Sequence, residues 1–133
     1  MRAFHLEIVT PDGSAFDGEA ESLLVRTDSG DVEILAGHAD YIAALAVGRA
    51  RIRTSDGDRL AAISGGFLSV DKKSVKLVAT TFEFAENIDI NRAKLAKENA
   101  QAALTRAKDD RDILIAKAKL ARAASRIDVA GLK

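Results

Sequence analysis

The sequence contains no cysteine and no tryptophan, one proline, and no excess of charge of either sign. Without cysteine the chain can form no disulfide, thiol nucleophile, iron–sulfur cluster or cysteine-ligated zinc site. Its 20 basic and 20 acidic residues give a formal net charge of zero, which argues against electrostatic capture of nucleic acid. We therefore expect a reducing compartment and no nucleic-acid partner.

Long hydrophobic runs are also missing. Glu7 interrupts the N-terminal segment before an apolar run of signal-peptide length can form. No stretch approaches the roughly 18 apolar residues that cross a bilayer, so we expect no membrane insertion. The 133 residues are enough for one ordinary domain, or for a small domain with an appendage.

The neutral total charge conceals two parts of opposite composition. Residues 1–86 carry a net charge of −5, eight of the nine glycines and every aromatic residue, whereas residues 87–133 carry +5 and twelve alanines. Glycine and aromatic residues are typical of turns and pleated sheet, and alanine is the strongest helix former. We predict an all-β N-terminal sandwich at 1–86, followed by an α-helical antiparallel hairpin at 87–133.

Alternating polarity and regularly spaced turns support the β prediction. Residues 4–9 and 49–53 alternate between apolar and polar side chains, as half-buried strands do. Turn-forming sequences recur at 11–13, 29–30, 55–57 and 71–74. The short strands left between them have about the 8 to 12-residue spacing of an antiparallel sandwich.

A repeat of small apolar residues supports the helical prediction. The residues fall at alternating spacings of three and four, at Ala93, Ala96, Ala100, Ala103 and Ala107, and again at Ile113, Ala116, Leu120, Ala123 and Ile127. We predict helices near 90–107 and 112–127 that pair about a turn at 108–111, the first capped by Asp89. Because an alanine seam buries few methylene groups, the closed hairpin should be only marginally preferred over an open form.

Hairpin geometry predicts a cluster of cations. Antiparallel pairing about residue 109 places Arg92 opposite Arg126, with Arg122 one helical turn away. The start of the first helix also presents unpaired backbone N–H groups and a positive dipole end, so the cluster has the character of an anion site. The alternative is that these arginines are solvated, or paired with the nearby carboxylates of Glu83, Glu86 and Asp89.

Patterns typical of enzymes are not found. His5 and His38 have no second ligand at metal-binding spacing, so we predict no metal site. No glycine-flanked nucleophile elbow and no phosphate-binding loop ending in Gly-Lys-Ser/Thr occurs, so we predict no catalytic residues. The arginine stripe at 49–53 has no interleaved aromatic residues for stacking bases, which favours a solvated face or a protein contact.

Four segments in order resemble the epsilon-subunit family of F-type ATP synthases. They are 7–13 (with Phe16 and Gly18), 30–38, 64–70 and 88–93, and the similarity covers essentially the whole chain. The resemblance implies a non-catalytic part of the central stalk of a proton-translocating synthase, although the sequence does not distinguish a proton from a sodium ion. It also implies a peripheral location at the cytoplasmic face of the cell membrane.

The resemblance further implies partners and a ligand. The sandwich would bind the gamma subunit near His38 and the c-ring through the loop at Asp31, and the helices would inhibit hydrolysis by entering the catalytic head of alpha and beta subunits. No cofactor would be required, but ATP would be a regulatory ligand. The residues that match the ATP motif are Ile88, Asp89, Arg92 and Ala93, together with Arg122 and Arg126. In this hypothesis the arginines hold the phosphates, while Ile88, Asp89, Ala93 and Glu83 shape the base end.

The chain also departs from the family pattern. Glu33, Ala36 and Asp40 replace the glycine and prolines usual around the loop before His38, and Asn99 stands where some ATP-binding members have a basic residue. Two other readings remain open. One is a free-standing soluble nucleotide-binding sensor, and the other, disfavoured by the lack of a nucleophile–base pair, is a small β-sandwich enzyme.

Overall fold

A computed structural model describes residues 2–131 of the chain. Seven strands are followed by a single 3₁₀ turn and two helices. The strands are β1 (Phe4–Thr10), β2 (Gly13–Ala20), β3 (Ser22–Thr27), β4 (Gly30–Leu35), β5 (Tyr41–Thr54), β6 (Gly57–Val70) and β7 (Ser74–Phe84). The 3₁₀ turn is Ala85–Asn87, and the helices are α1 (Ile90–Arg106) and α2 (Asp110–Ala130).

The strands form one continuous hydrogen-bonded sheet that folds over into a sandwich. Their order is β2-β1-β7-β6-β5-β3-β4, with β1 parallel to β7 and every other pair antiparallel. Both ends of this order contribute to a single core, since Ala20 of β2 and Leu6 of β1 belong to the same cluster as Ile34 of β4. The predicted sandwich is confirmed, as are the strands expected at 4–9 and 49–53.

Three of the hairpin turns share one local structure that the sequence analysis did not single out. Each has the sequence Thr-x-x-Gly, at 10–13, 27–30 and 54–57. The threonine hydroxyl accepts a hydrogen bond from the backbone N–H two residues later, at 3.1 to 3.2 Å, and donates to the glycine carbonyl. The glycine has a φ of +117° to +120°, which a side chain would disfavour.

A glycine pair lies within β6, in the short stretch where the pairing of β6 with β5 is interrupted. Gly65 and Gly66 have φ values of +67° and +97°. A Cβ atom on Gly66 would lie 1.8 Å from the carbonyl oxygen of Val78 on the neighbouring strand β7. Only glycine permits this close approach of the two backbones, so position 66 requires glycine.

Helices α1 and α2 form the predicted hairpin, with slightly different ends. Helix α1 ends at Arg106, and α2 begins at Asp110, two residues earlier than expected, and runs three residues further. The reason for the early start is Asp109, whose carboxylate accepts a hydrogen bond from the N–H of Asp112 at 2.8 Å and caps the helix. The turn is therefore only residues 107–109.

Small side chains fill the contact between the helices, as the spacing predicted. The fully buried seam residues are Ala93, Ala100, Ala116 and Ala123. The hairpin packs on the sandwich through a second, small cluster formed by Ala62, Ala85, Ile88 and Val129. Beside this cluster the hydroxyl of Ser125 donates to the carbonyl of Gly48 at 3.2 Å. The helices are thus held by a contact much smaller than the sandwich core.

Within residues 2–131, neither helix has the length and apolarity needed to cross a membrane. The same residues contain no group of three or more histidine or acidic side chains arranged to hold a metal ion.

Candidate functional site

A cleft lies where the two helices meet the end of the sandwich, and we call it the proximal cleft. It has a volume of about 290 Å³. Its lining comes from the end of β7, the 3₁₀ turn, the start of α1 and the last turns of α2. The lining residues are Glu83, Asn87, Asp89, Arg92, Ala93, Ala96 and Arg126. Five of the seven predicted ligand-binding residues are therefore brought together here.

The start of α1 is organised by Asp89. Its carboxylate accepts a hydrogen bond from the N–H of Arg92 at 3.1 Å, and its carbonyl accepts one from the N–H of Ala93 at 3.0 Å. The predicted N-cap is confirmed, and its carboxylate satisfies one of the donors that the helix itself leaves free, the N–H of Arg92. The side chain of Arg92 is exposed, whereas Ala93 is buried, so the Arg92 guanidinium is the cation that this end of α1 offers to a ligand.

The side chain of Arg126 extends from α2 towards Glu83 on strand β7 of the sandwich. Its Nε atom lies 4.0 Å from an Oε atom of Glu83, with side-chain exposures of 32% and 41%. A half-exposed pair at this distance stabilises the fold by about 1 kcal/mol or less, so a stronger anionic ligand can compete for the guanidinium. Glu86, the other carboxylate considered as a partner, is instead paired with Arg59, whose guanidinium also lies 3.6 Å from the Phe84 ring centroid.

A second cleft continues along the hairpin, and we call it the distal cleft. It has a volume of about 310 Å³ and shares Ala96 and Arg126 with the proximal cleft. Its remaining lining residues are Asn99, Ala100, Ala103, Lys119 and Arg122. The three predicted arginines are thus divided, because Arg92 lines the proximal cleft, Arg122 lines the distal cleft, and Arg126 lines both.

Ile88 is not part of either cleft lining. Its side chain is 6% exposed and packs with Ala85 and Val129 in the cluster that holds the hairpin on the sandwich. The residue just before the N-cap of α1 is apolar and is drawn into this cluster, because burying it removes apolar surface from water. Ile88 therefore helps to hold the start of α1 against the sandwich, and its role at the base end of a ligand site stays a prediction.

Several lining residues were missed by the sequence analysis. Ala96 follows Ala93 by three residues on the alanine seam, and Lys119 precedes Arg122 by three residues on α2, so helical spacing could have found both. Asn99 was noted only for lacking a charge. Asn87 lies in the 3₁₀ turn, and no periodic signal marks it.

The two predicted partner-contact residues lie at opposite ends of β4. Asp31 is at the start of the strand, exposed, and accepts a hydrogen bond from Nε of Arg26 at 3.0 Å. His38 follows the end of the strand, where its ring lies edge-on to Tyr41 and its Nδ1 is 2.7 Å from the carbonyl of Ala39. A strand of six residues spans about 20 Å, so the two residues belong to different surfaces.

Comparisons with known proteins agree with this two-part architecture. Residues 3–85 match the family described as "ATP synthase, Delta/Epsilon chain, beta-sandwich domain". Residues 86–131 match "ATP synthase, Delta/Epsilon chain, long alpha-helix domain". Among solved structures, a chain of the mitochondrial ATP synthase of Euglena gracilis superimposes with a TM-score of 0.82 at 23% identity, covering 98% of this chain and 82% of the other.

Curated relatives are similar over their whole length. The ATP synthase epsilon chain of Bacillus velezensis is 44% identical, covering 98% of this chain and 99% of the relative. That of Staphylococcus aureus is 38% identical with full coverage of both chains. The epsilon chain of Propionigenium modestum, described as sodium ion specific, is 35% identical, covering 98% of this chain and 95% of that one. This chain therefore belongs to the ATP synthase delta/epsilon family and is an epsilon chain.

Proposed function

We propose that this chain is an accessory, non-catalytic subunit in the central stalk of a proton-translocating F-type ATP synthase, and that its helical hairpin responds to ATP. The observation that carries the second part is the convergence of Arg92 and Arg126, from two different helices, in one cleft. A ligand that bridges these two side chains binds only while the helices are paired. The fraction of hairpins that are closed therefore depends on the ligand concentration.

The sandwich is the docking part in this proposal. Ile42 on β5 is 77% exposed and Phe67 on β6 is 46% exposed, and both lie on strand segments paired with each other just beyond the His38 loop. The strand register makes the two residues diagonal neighbours, and adjoining exposed apolar side chains are typical of a protein interface. We assign this surface to the gamma subunit, and the opposite end of β4, at Asp31, to the c-ring.

The hairpin is the regulatory part, because little holds it closed. The seam residues buried between the helices are alanines. Among residues 2–131, the buried cluster under the hairpin has two larger side chains, Ile88 and Val129, with the partly buried Leu60 packed against them. Larger apolar residues on the helices point outwards instead, with Leu95 57% exposed and Leu114 69% exposed. These side chains would become contacts with the alpha and beta subunits when the helices extend into the catalytic head and inhibit ATP hydrolysis.

ATP would oppose that inhibition by linkage. A ligand that binds only the closed hairpin shifts the equilibrium towards it by RT ln(1 + [ATP]/Kd). At an ATP concentration about 100 times Kd this amounts to about 2.7 kcal/mol, comparable to the free energy expected for burying one large aliphatic side chain. Low ATP would then favour the open, inhibitory form. No cofactor is required, and the peripheral location at the cytoplasmic face of the cell membrane follows from the complex.

Calorimetric titration of ATP into the purified chain, with and without magnesium, tests the ligand. We expect saturable binding by the wild type, binding weakened at least tenfold by Arg126→Ala because a charge-assisted contact is lost, and no change in Arg111→Ala. Arg111 is a matched control because it is an exposed arginine of α2 that lines neither cleft. Equal affinities in the wild type and Arg126→Ala would refute the site.

Reconstitution tests the place in the complex. Catalytic head particles stripped of their epsilon subunit should bind the chain and lose hydrolytic activity, and ATP should reduce that inhibition. A chain that binds ATP but does not associate with the particles would instead be the free-standing sensor. Ile42→Glu should weaken association without changing ATP affinity, because a charge would be placed in the apolar surface assigned to the gamma subunit.

A further inference from the structure

The two joined clefts differ in the sign of their charged groups. The proximal cleft has two carboxylates, Glu83 and Asp89, beside Arg92 and Arg126. The distal cleft has three cations, Lys119, Arg122 and Arg126, and none of its lining residues is acidic. A ligand with one polyanionic end should therefore bind in one orientation, because the attraction between its negative end and the cations is strongest in the distal cleft.

Lys119 belongs to this cation group by helical position. Residues 119, 122 and 126 are separated by three and four positions, which places them on one face of α2. Across the cleft, α1 contributes Asn99 with three small seam residues, so no cation of the distal cleft comes from that helix. None of the ion pairs found among residues 2–131 involves Lys119.

The distal cleft also extends away from the start of α1. Arg92 and Asn99 are seven residues apart on α1, which corresponds to about 10 Å along the helix axis. A phosphate chain that begins between Arg92 and Arg126 can therefore extend along the seam towards Lys119. The last phosphate, which a nucleoside triphosphate has and a diphosphate lacks, would lie farthest along this path.

We propose that Lys119 contacts the terminal phosphate of a nucleoside triphosphate and gives the site its preference for triphosphate over diphosphate. The inference rests on the nucleotide-binding function proposed above. In this proposal the cation that meets the terminal phosphate comes from α2, because α1 presents the uncharged Asn99 to the distal cleft. Lys119 is exposed and carries its charge on a flexible side chain, which suits a contact formed as the ligand binds.

Titration of Lys119→Ala with ATP and with ADP tests this assignment. We expect ATP affinity to fall about tenfold, the size of one charge-assisted hydrogen bond, while ADP affinity changes less than twofold. Lys117→Ala is the matched control, since Lys117 is an exposed lysine of the same helix that lines neither cleft. The double variant Lys119→Ala/Asn99→Lys should regain ATP affinity, because it returns a cation to the distal cleft from the opposite helix.

The outcomes separate the two proposals. ATP affinity unchanged in Lys119→Ala, or ATP and ADP affinities reduced equally, would overturn the role of Lys119 and leave the Arg126-dependent site standing. Absence of ATP binding by the wild type would overturn both. Circular dichroism at 222 nm should be the same for all variants, because alanine and lysine are both good helix formers.

Discussion

Replacing Gly66 with alanine should destabilise the sandwich far more than the same change at Gly57. Both glycines have positive φ values, +97° and +118°, so alanine at either position carries backbone strain of about 1 to 3 kcal/mol. They differ in their surroundings. A Cβ atom at position 57 meets nothing within 4 Å, whereas one at position 66 lies 1.8 Å from the Val78 oxygen and 2.8 Å from its carbon.

The steric contact at position 66 determines how much more stability Gly66→Ala loses than Gly57→Ala. Real Cβ contacts are essentially never shorter than 3.0 Å, so the paired backbones of β6 and β7 must separate by more than 1 Å. Overpacking of this kind costs about 1 to 3 kcal/mol, and the atoms that must move are backbone atoms within a central strand pair. We therefore expect Gly66→Ala to lose about 2 kcal/mol or more beyond the loss in Gly57→Ala.

Urea unfolding, followed by tyrosine fluorescence and by circular dichroism, measures the stability lost in each variant. Tyr41 is the chain's single tyrosine and no tryptophan is present, so tyrosine fluorescence reports on β5 in the sandwich, while circular dichroism at 222 nm reports mainly on the helices. The fluorescence midpoint should shift to lower urea in Gly66→Ala than in Gly57→Ala. Equal midpoints for the two variants would refute the argument that backbone contact, and not φ alone, requires glycine in β6.

Two further predictions concern the hairpin and the acid behaviour of a turn. Val129→Ala should weaken the contact between hairpin and sandwich by about 2 kcal/mol, because Val129 is 1% exposed in the cluster that joins them. Amide hydrogen exchange should then become faster in the helices and stay unchanged in the sandwich core at Leu77. Backbone N–H groups of Ser74 and Lys73 hold the pKa of Asp71 below its ordinary value. The stability that these hydrogen bonds add is present above the pKa of Asp71 in the unfolded chain, about 3.9, and is lost as pH falls through the lower pKa of the folded protein. Asp71→Asn should therefore make the free energy of unfolding depend less steeply on pH in the acid range. Proton NMR titration that gives Asp71 an ordinary pKa would contradict this.

Local patterns in the sequence were sufficient to predict the secondary structure and the hairpin. The period of two at residues 4–9 and the alternation of three and four in the alanine seam follow directly from strand and helix geometry, and the structure confirms both. The N-cap at Asp89 was predictable because the capping preference acts over three residues. The position of α2 was less accurate, since the apolar repeat begins at Ile113 while the cap at Asp109 decides where the helix starts.

The candidate site could be predicted only in part. Pairing about residue 109 correctly brings Arg92 and Arg126 into one cleft, because helix rise and turn length fix which residues face each other. The place of Ile88 depended on which surface of the sandwich lies beneath α1, and this is not encoded in the helix itself. Lys119 was overlooked because exposed lysines are common on helices, and only the cleft beside Asn99 distinguishes this one.

The sequence by itself determined the division into an aromatic, glycine-rich β part and an alanine-rich helical part, because propensity, periodicity and turn chemistry act over short stretches of chain. Tertiary structure decided the order of the strands, the close approach that requires glycine in β6, and the small cluster that holds the hairpin on the sandwich. It also decided the separation of charge between the two clefts. These features depend on contacts between residues far apart in the chain, whose geometry is set only when sheet and helices pack together.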